Sequence, residues 1–233
     1  MKKKIVALLA GALLLLATSA MADDLNIGGN INWIQLQKST DSGANFTSIQ
    51  DGGGSLDATL NGQQLDYLYC TDIETVVYVP KDYNNTGVSN DGTIHSNGSK
   101  LTVYNADKVA YLVDKYGVNG VGDRTKQAAL QAAIWTEIYS TGTNRYKLDT
   151  AWYGAGSTIA NFYTDYLNDA NTAVTTGYAS RVTWLSPAIS GDPAVYQGLV
   201  TSSNAPEPST IVLLVTGMFG LAIFGKRRLI KTA

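Results

Sequence analysis

Residues 31–36 are rich in apolar positions interrupted by single polar ones, which predicts a short strand. Residues 65–79 are more densely apolar. Val76, Val77, Tyr78 and Val79 are their β-branched and aromatic part, and one or two strands are expected there. Asp51-Gly52-Gly53-Gly54 predicts a flexible turn, and residues 83–100, rich in Asn, Gly and Ser, predict a polar loop. Residues 101–104 suggest another strand.

The spacing then changes from two to about 3.6. Val109, Leu112, Val113 and Tyr116 recur at i, i+3, i+4 and i+7, which predicts a helix capped by Asn105 and ended by Gly117. Asp123 can cap a second helix running to about Ser140. Its stripe is Leu130, Ile134 and Ile138, and Gly142 stops it. Ser157 can cap a third, carrying Ile159, Phe162, Tyr163, Tyr166 and Leu167. Strands are expected again over 181–185 and 196–201. Strands at both ends, with about three helices in the middle and C-terminal half, predict a single α+β domain.

Both termini have a different character. Lys2, Lys3 and Lys4 precede an apolar run from Ile5 to Leu16, and Ala20-Met21-Ala22 supplies small residues of the A-x-A type. Residues 1–22 therefore read as a signal peptide cleaved after Ala22, with Ala20 and Ala22 as the cleavage determinants. At the other end, Pro206-Glu207-Pro208 is followed by an apolar segment at 210–225 and a basic cluster, Lys226-Arg227-Arg228. That segment is expected to span the inner membrane with its basic end cytoplasmic. The order of parts over residues 206–233 resembles the PEP-CTERM sorting signal. The resemblance implies recognition by an exosortase in a Gram-negative bacterium with an exopolysaccharide system. It also implies removal of the tail near Pro206, Glu207 and Pro208, and delivery from a membrane-anchored precursor to the cell surface or extracellular matrix.

Separating the ends changes the charge balance. The chain of 233 residues has a net charge of −2, but residues 23–205 hold ten Lys and Arg against eighteen Asp and Glu, a net charge of −8. A domain this acidic is poorly suited to nucleic acid or anionic membranes. One Cys excludes an intrachain disulfide framework and a Cys-based zinc site, and one His leaves little metal or Ser–His–Asp chemistry. Nothing in the chain calls for a cofactor, and no acid/base pair has a recognisable hydrolase spacing.

The single cysteine, Cys70, lies in Tyr67-Leu68-Tyr69-Cys70-Thr71-Asp72-Ile73. A buried Cys serving as a small hydrophobe is one reading. Pairing with His95 as a nucleophile is weaker, because His95 falls in the polar loop. Gln131 and Trp135, four apart in the second helix, share a face, and Ile134 lies beside them. A Gln next to a core stripe is placed for burial and needs partners; a hydrogen-bonded amide at a helix–sheet junction would satisfy it.

Tyr69-Cys70 and Gln131-Ala132-Ala133-Ile134-Trp135 together resemble the thioester domains of bacterial surface adhesins. There an aromatic residue commonly precedes the Cys, and the Gln belongs to a Gln-x-Ala-Ile-Trp motif. The segment 109–116 also looks like that family's helix upstream of the Gln, and the likeness extends over residues 65–167. It implies an internal thioester between Cys70 and Gln131, formed with loss of ammonia, within a dry pocket walled by Tyr69, Ile134 and Trp135. It implies single-turnover attachment to a Lys amine or polysaccharide hydroxyl, supporting adhesion or biofilm cohesion, rather than enzymatic turnover. Closing a loop between residues 70 and 131 would also stabilise the domain by about 4 kcal/mol if it acts as a disulfide does. Asp72, Glu74 and Glu137 are candidate helpers, with solvated surface carboxylates as the simpler reading, and Tyr139 reads as core. The alternative function is a non-covalent exopolysaccharide-associated protein using Trp152, Tyr153 and Trp184 as stacking surfaces, with the Cys–Gln bond only a stabilising cross-link or absent.

Overall fold

A computed structural model describes residues 23–96, 99–173 and 175–203, which belong to one compact unit, Asp23–Ala205. The signal peptide with Ala20 and Ala22, the Pro206-Glu207-Pro208 motif and the apolar segment at 210–225 lie outside the described residues. The domain mixes strands and helices, with strand predominating. Seven strands form a curled antiparallel sheet in the order β5-β4-β1-β7-β11-β12-β6. They are β1 (Asp23–Gly29), β4 (Asp57–Leu60), β5 (Gln63–Gln64), β6 (Leu68–Cys70), β7 (Lys81–Ser89), β11 (Val182–Ser186) and β12 (Leu199–Ser202). A second sheet runs β10-β2-β3, from β10 (Arg145–Leu148), β2 (Asn32–Ser39) and β3 (Thr47–Gly53). β8 (Thr93–Ser96) and β9 (Ser99–Thr102) form a separate hairpin.

The three expected helices are present as α1 (Ala106–Tyr116), α2 (Arg124–Ile138) and α4 (Thr158–Thr172). A single-turn helix, α3 (Thr150–Tyr153), is added where Asp149 accepts from the Trp152 N–H at 3.1 Å. Asp123 caps α2 as its sequence predicts, accepting from the Thr125 and Lys126 N–H groups at 3.0 and 3.1 Å. Asn105 does not cap α1 through its side chain. It stands in the left-handed region at φ 54°, and its amide reaches across to α2, donating to the Glu137 carbonyl and carboxylate at 3.1 and 3.0 Å. Ser157 likewise makes no capping bond to α4.

Three expectations are corrected. The described residues of 83–100 are mostly strand rather than loop: β7 runs through the middle of the large sheet, and β8 and β9 follow it. Only Tyr83 and Thr86 of β7 are buried, so its polar composition conceals a central strand. Residues 73–80 are irregular rather than extended into a strand. Val76 and Tyr78 are exposed, while Val77 and Val79 turn inward against the core. Asp51-Gly52-Gly53 is the end of β3, not a flexible turn.

Helix α2 is the centre of the domain. It packs against α1, α4, β2 and β10, and every residue from Gln127 to Trp135 is buried. Its environment, not an amphipathic stripe, explains a helix closed on all sides.

Candidate functional site

β6 is the last strand of the large sheet, hydrogen-bonded to β12 on one side only. Cys70 stands opposite Leu199, and the Thr71 N–H donates to the Gly198 carbonyl at 2.8 Å. In an antiparallel pair, alternate residues turn their N–H and C=O outward. Here those of residues 68 and 70 face away from β12. The Leu68 carbonyl accepts from the Leu56 N–H at 2.8 Å.

At Cys70 the outward groups are met by a side chain. The Cys70 N–H donates to Gln131 Oε1 at 2.9 Å, and Gln131 Nε2 donates to the Cys70 carbonyl at 2.7 Å. The two residues are 61 apart in sequence, and their relative exposures are 1% and 0%. The carboxamide thus extends the sheet edge by one reciprocal pair, and its orientation is fixed from both ends.

Neighbouring residues hold the Gln in place. Four residues earlier in α2, Gln127 accepts from Asn32 Nδ2 of β2 at 3.2 Å, with both side chains buried. Four residues later, Trp135 is wholly buried, and its indole N–H has no partner among the described residues. β3 passes directly over Gln131 and Trp135. A Cβ on Gly53 would lie 2.7 Å from both Gln131 Cγ and Trp135 Cη2 and 3.3 Å from Gln131 Cδ, so the strand can pass here only as glycine. Ile134 is in the same buried stretch. Tyr69 follows strand alternation away from Cys70, with its ring 5.9 Å from that of Tyr67 and its hydroxyl against Gly120.

Cys70 forms part of the wall of a cavity of about 260 Å³ between β2, β3, β6 and residues 73–79. Asp51 and Glu74 bring carboxylates to it, and Ile31, Trp33 and Val76 bring apolar surface. Trp33 and Val76 are 68% and 58% exposed, which marks the cavity's outer rim. Burial pushes the Cys70 thiol well above its ordinary range, and the nearby Asp51 and Asp72 charges push it further. The sulfur is held as the neutral thiol. A second cleft is lined by Asn26, Pro80, Lys81 and Asp82 and contains no cysteine.

No protein-family model, curated protein or solved structure matches the chain. What the site can do is read from its own atoms.

The remaining candidates separate. Asp72 accepts from the Tyr139 hydroxyl at 2.7 Å and Glu74 from the Tyr146 hydroxyl at 3.0 Å, on the edge of the cavity. Tyr139 is therefore a half-buried hydrogen-bonded residue, and its hydroxyl is held protonated by burial and by Asp72. Glu137 is not a solvated carboxylate: it is buried, 3.4 Å from Lys108 Nζ, and belongs to the α1–α2 contact. Trp184 is wholly buried and donates to the Ala179 carbonyl at 2.9 Å, so it offers no stacking face. Trp152 is 68% exposed, whereas the half-buried Tyr153 accepts from the Gln35 N–H at 3.1 Å. The sequence reading missed Asp51, Gly53 and Trp33. A run of three glycines after an acid reads as a turn, and only the path of β3 reveals its role.

Proposed function

We propose that this is an exported protein whose domain, residues 23–205, forms an internal thioester between Cys70 and Gln131. Through that bond it attaches covalently to a nucleophile on a cell-surface or matrix partner. The observation that carries the reading is the reciprocal hydrogen-bonded pair between the Cys70 backbone and the Gln131 carboxamide.

That pair has the form the chemistry needs. As Sγ adds to Cδ of Gln131, negative charge develops on Oε1, where the Cys70 N–H already donates at 2.9 Å. Nε2 leaves from beside the Cys70 carbonyl. The thiol proton travels to that nitrogen, the C–S bond forms, the C–N bond breaks and ammonia departs. No external base is consumed: the thiol, held neutral by burial, gives its proton to the departing nitrogen. An amine or hydroxyl later attacks the acyl carbon, the C–S bond breaks, and Cys70 returns to a thiol. Burial of Gln131 protects the bond from water, and the cavity on the sulfur side gives the nucleophile a route.

The terminal segments complete the proposal. A signal peptide ending at Ala22 and an exosortase-type tail at 206–233 would carry the domain across the inner membrane of a Gram-negative bacterium to its surface or matrix, where such attachment supports adhesion or biofilm cohesion.

A second reading has its own support. The Gln131 amide satisfies both free groups of Cys70 at a sheet edge without any covalent bond. The domain would then be a non-covalent, exopolysaccharide-associated protein, with Trp33 and Trp152 among its exposed aromatics. Intact mass separates the two. The thioester reading expects the exported protein to be lighter by one ammonia, with the deficit lost in Cys70→Ala and in Gln131→Ala. A full-mass chain whose Cys70 alkylates under native conditions rejects it. A deficit with no methylamine adduct at residue 131 leaves a structural cross-link.

A further inference from the structure

Asp51 is the group in the cavity with no structural task of its own. It stands opposite Ile34 in the β2–β3 ladder, two residues before the glycine that packs on Gln131. Its side chain lines the same cavity as Cys70. One oxygen, Oδ1, accepts from the N–H of Gly52 at 2.7 Å. The other has no hydrogen-bond partner among the described residues. The remaining acids near Cys70 are occupied. Asp72 is held by Tyr139 and Thr75, and Glu74 by Tyr146 and Asn144.

Attack on a thioester has a proton problem that this placement answers. The nucleophile must lose a proton as its C–N or C–O bond forms, and the sulfur must gain one as the C–S bond breaks. A thiolate leaving into this site would be buried beside the Asp51 and Asp72 charges, which disfavour it. A group that takes the first proton and returns it to sulfur removes both difficulties.

Resting on the thioester reading above, we propose that Asp51 is the proton relay of the attachment step. For a neutral amine, the nitrogen lone pair forms the C–N bond to the residue 131 acyl carbon. The Asp51 carboxylate takes one N–H proton. The C–S bonding pair leaves with Cys70, and Asp51 hands its proton to that sulfur. Amide and thiol are the products, and the carboxylate is restored. No oxidant, metal or further reactant is required.

The surroundings suit a carboxylate used this way. Half-burial raises the Asp51 carboxyl above its ordinary value, against smaller lowering effects of the Gly52 N–H and the Lys38 charge. This makes it a better base than a solvated acid. The ionisable groups facing it are Lys38 from β2, Cys70 from β6, Glu74 from the following segment and Tyr146 from β10.

The experiment compares the full exported chain with Asp51→Asn and Asp51→Glu. Intact mass is read before and after exposure to methylamine between pH 6 and 9. All three should carry the ammonia deficit, because bond formation uses the leaving nitrogen as its own proton acceptor. Methylamine incorporation should slow about 100-fold in Asp51→Asn, the scale of a lost general base. It should recover in part in Asp51→Glu, and the rate–pH profile should change shape in the Asn variant. A role confined to packing would leave that shape unchanged. An Asp51→Asn chain that keeps its deficit and reacts within about twofold of wild type, with the same pH profile, overturns the relay alone. So does one that has lost the deficit, since Asp51 would then act in the earlier step or in folding. A wild-type chain of full mass overturns the thioester reading, and the relay with it.

Discussion

Cys70 faces two unlike environments. On its backbone side the N–H and C=O are closed off by Gln131, behind which lie Gly53 and Trp135 in a dry, fully packed contact. On its side-chain side there is a cavity with two carboxylates and an exposed apolar rim. In the proposed thioester the first side would fix the acyl group, while the second borders the cavity. A packed core needs only the first, and an open reactive cysteine only the second. A protected electrophile needs both on one residue, and a strand at the edge of a sheet supplies them because its outward backbone groups and its side chain point in different directions.

The sharpest way to break that contrast is to remove each side in turn. Cys70→Ala and Gln131→Ala would both abolish the proposed cross-link, worth about 4 kcal/mol in the loop-closure model. Only Gln131→Ala also strands the buried Cys70 N–H and C=O and leaves a void beneath Gly53. It should unfold in urea with about 2–4 kcal/mol less stability than Cys70→Ala. Equal losses would mean that the hydrogen-bonded pair adds no measurable stability where the covalent bond is absent.

Gln131→Glu sharpens the same side. It is also what hydrolysis of the proposed thioester would leave at residue 131. A carboxylate cannot donate to the Cys70 carbonyl, which sits 2.7 Å from the present amide nitrogen. The folded state therefore favours the protonated acid and raises its pKa above the unfolded value of about 4.3. The sign follows: stability is fullest below pH 4.3 and is lost as the pH rises through the folded pKa. Relative to Gln131→Ala, which carries no such titration, the Glu variant should weaken by about 1–3 kcal/mol between pH 4 and pH 7. Parallel curves for the two variants would place that side chain in water and undo the closed side.

Gly53→Ala presses on the contact from outside. The new Cβ meets Gln131 and Trp135 at 2.7 Å, and neither can move far within a packed core. We expect about 1–3 kcal/mol of destabilisation and, if the proposed thioester forms, a smaller fraction of chains carrying its ammonia deficit, because the strain falls on the Gln131 amide. Lost stability with an unchanged fraction would show that the amide's position tolerates displacement.

What the sequence made legible follows the same division. Gln131 and Trp135 could be placed on one helix face because an i, i+4 relation is local, and Cys70 stood out as the only thiol. The three longer helices were readable from their spacing and from Asp123 and Gly117. Apart from Glu74, already a candidate helper, the cavity side was not readable, because it is assembled from Trp33, Asp51, Glu74 and Val76 on separate segments. The apolar run at 76–79 looked like a strand, but Val76 and Val79 line the cavity and Tyr78 faces solvent. β7 looked like a loop because a strand burying only Tyr83 and Thr86 can be polar elsewhere. Gly53 was ambiguous for a general reason: in sequence, a glycine required by a close contact is the same as one required by a turn.

The smallest expected effect lies away from both sides of Cys70, on the face between α1 and α4. Asp169 accepts from the Tyr111 hydroxyl at 2.7 Å and also pairs with Lys115 and Tyr116. Those partners, Lys115 first, lower its carboxyl to about 2. A lowered folded pKa contributes stability that is present above the unfolded value of about 3.9 and is lost as the pH falls through about 2. The pair is partly open to solvent, so its contribution is screened to under about 1 kcal/mol. Asp169→Asn should therefore flatten the acid limb of stability between pH 4 and pH 2 while leaving the ammonia deficit and the methylamine rate at wild-type values. Any change in the rate would show that the helical face and the reactive edge are coupled through α2, and that the contrast at Cys70 extends further into the domain than its immediate contacts.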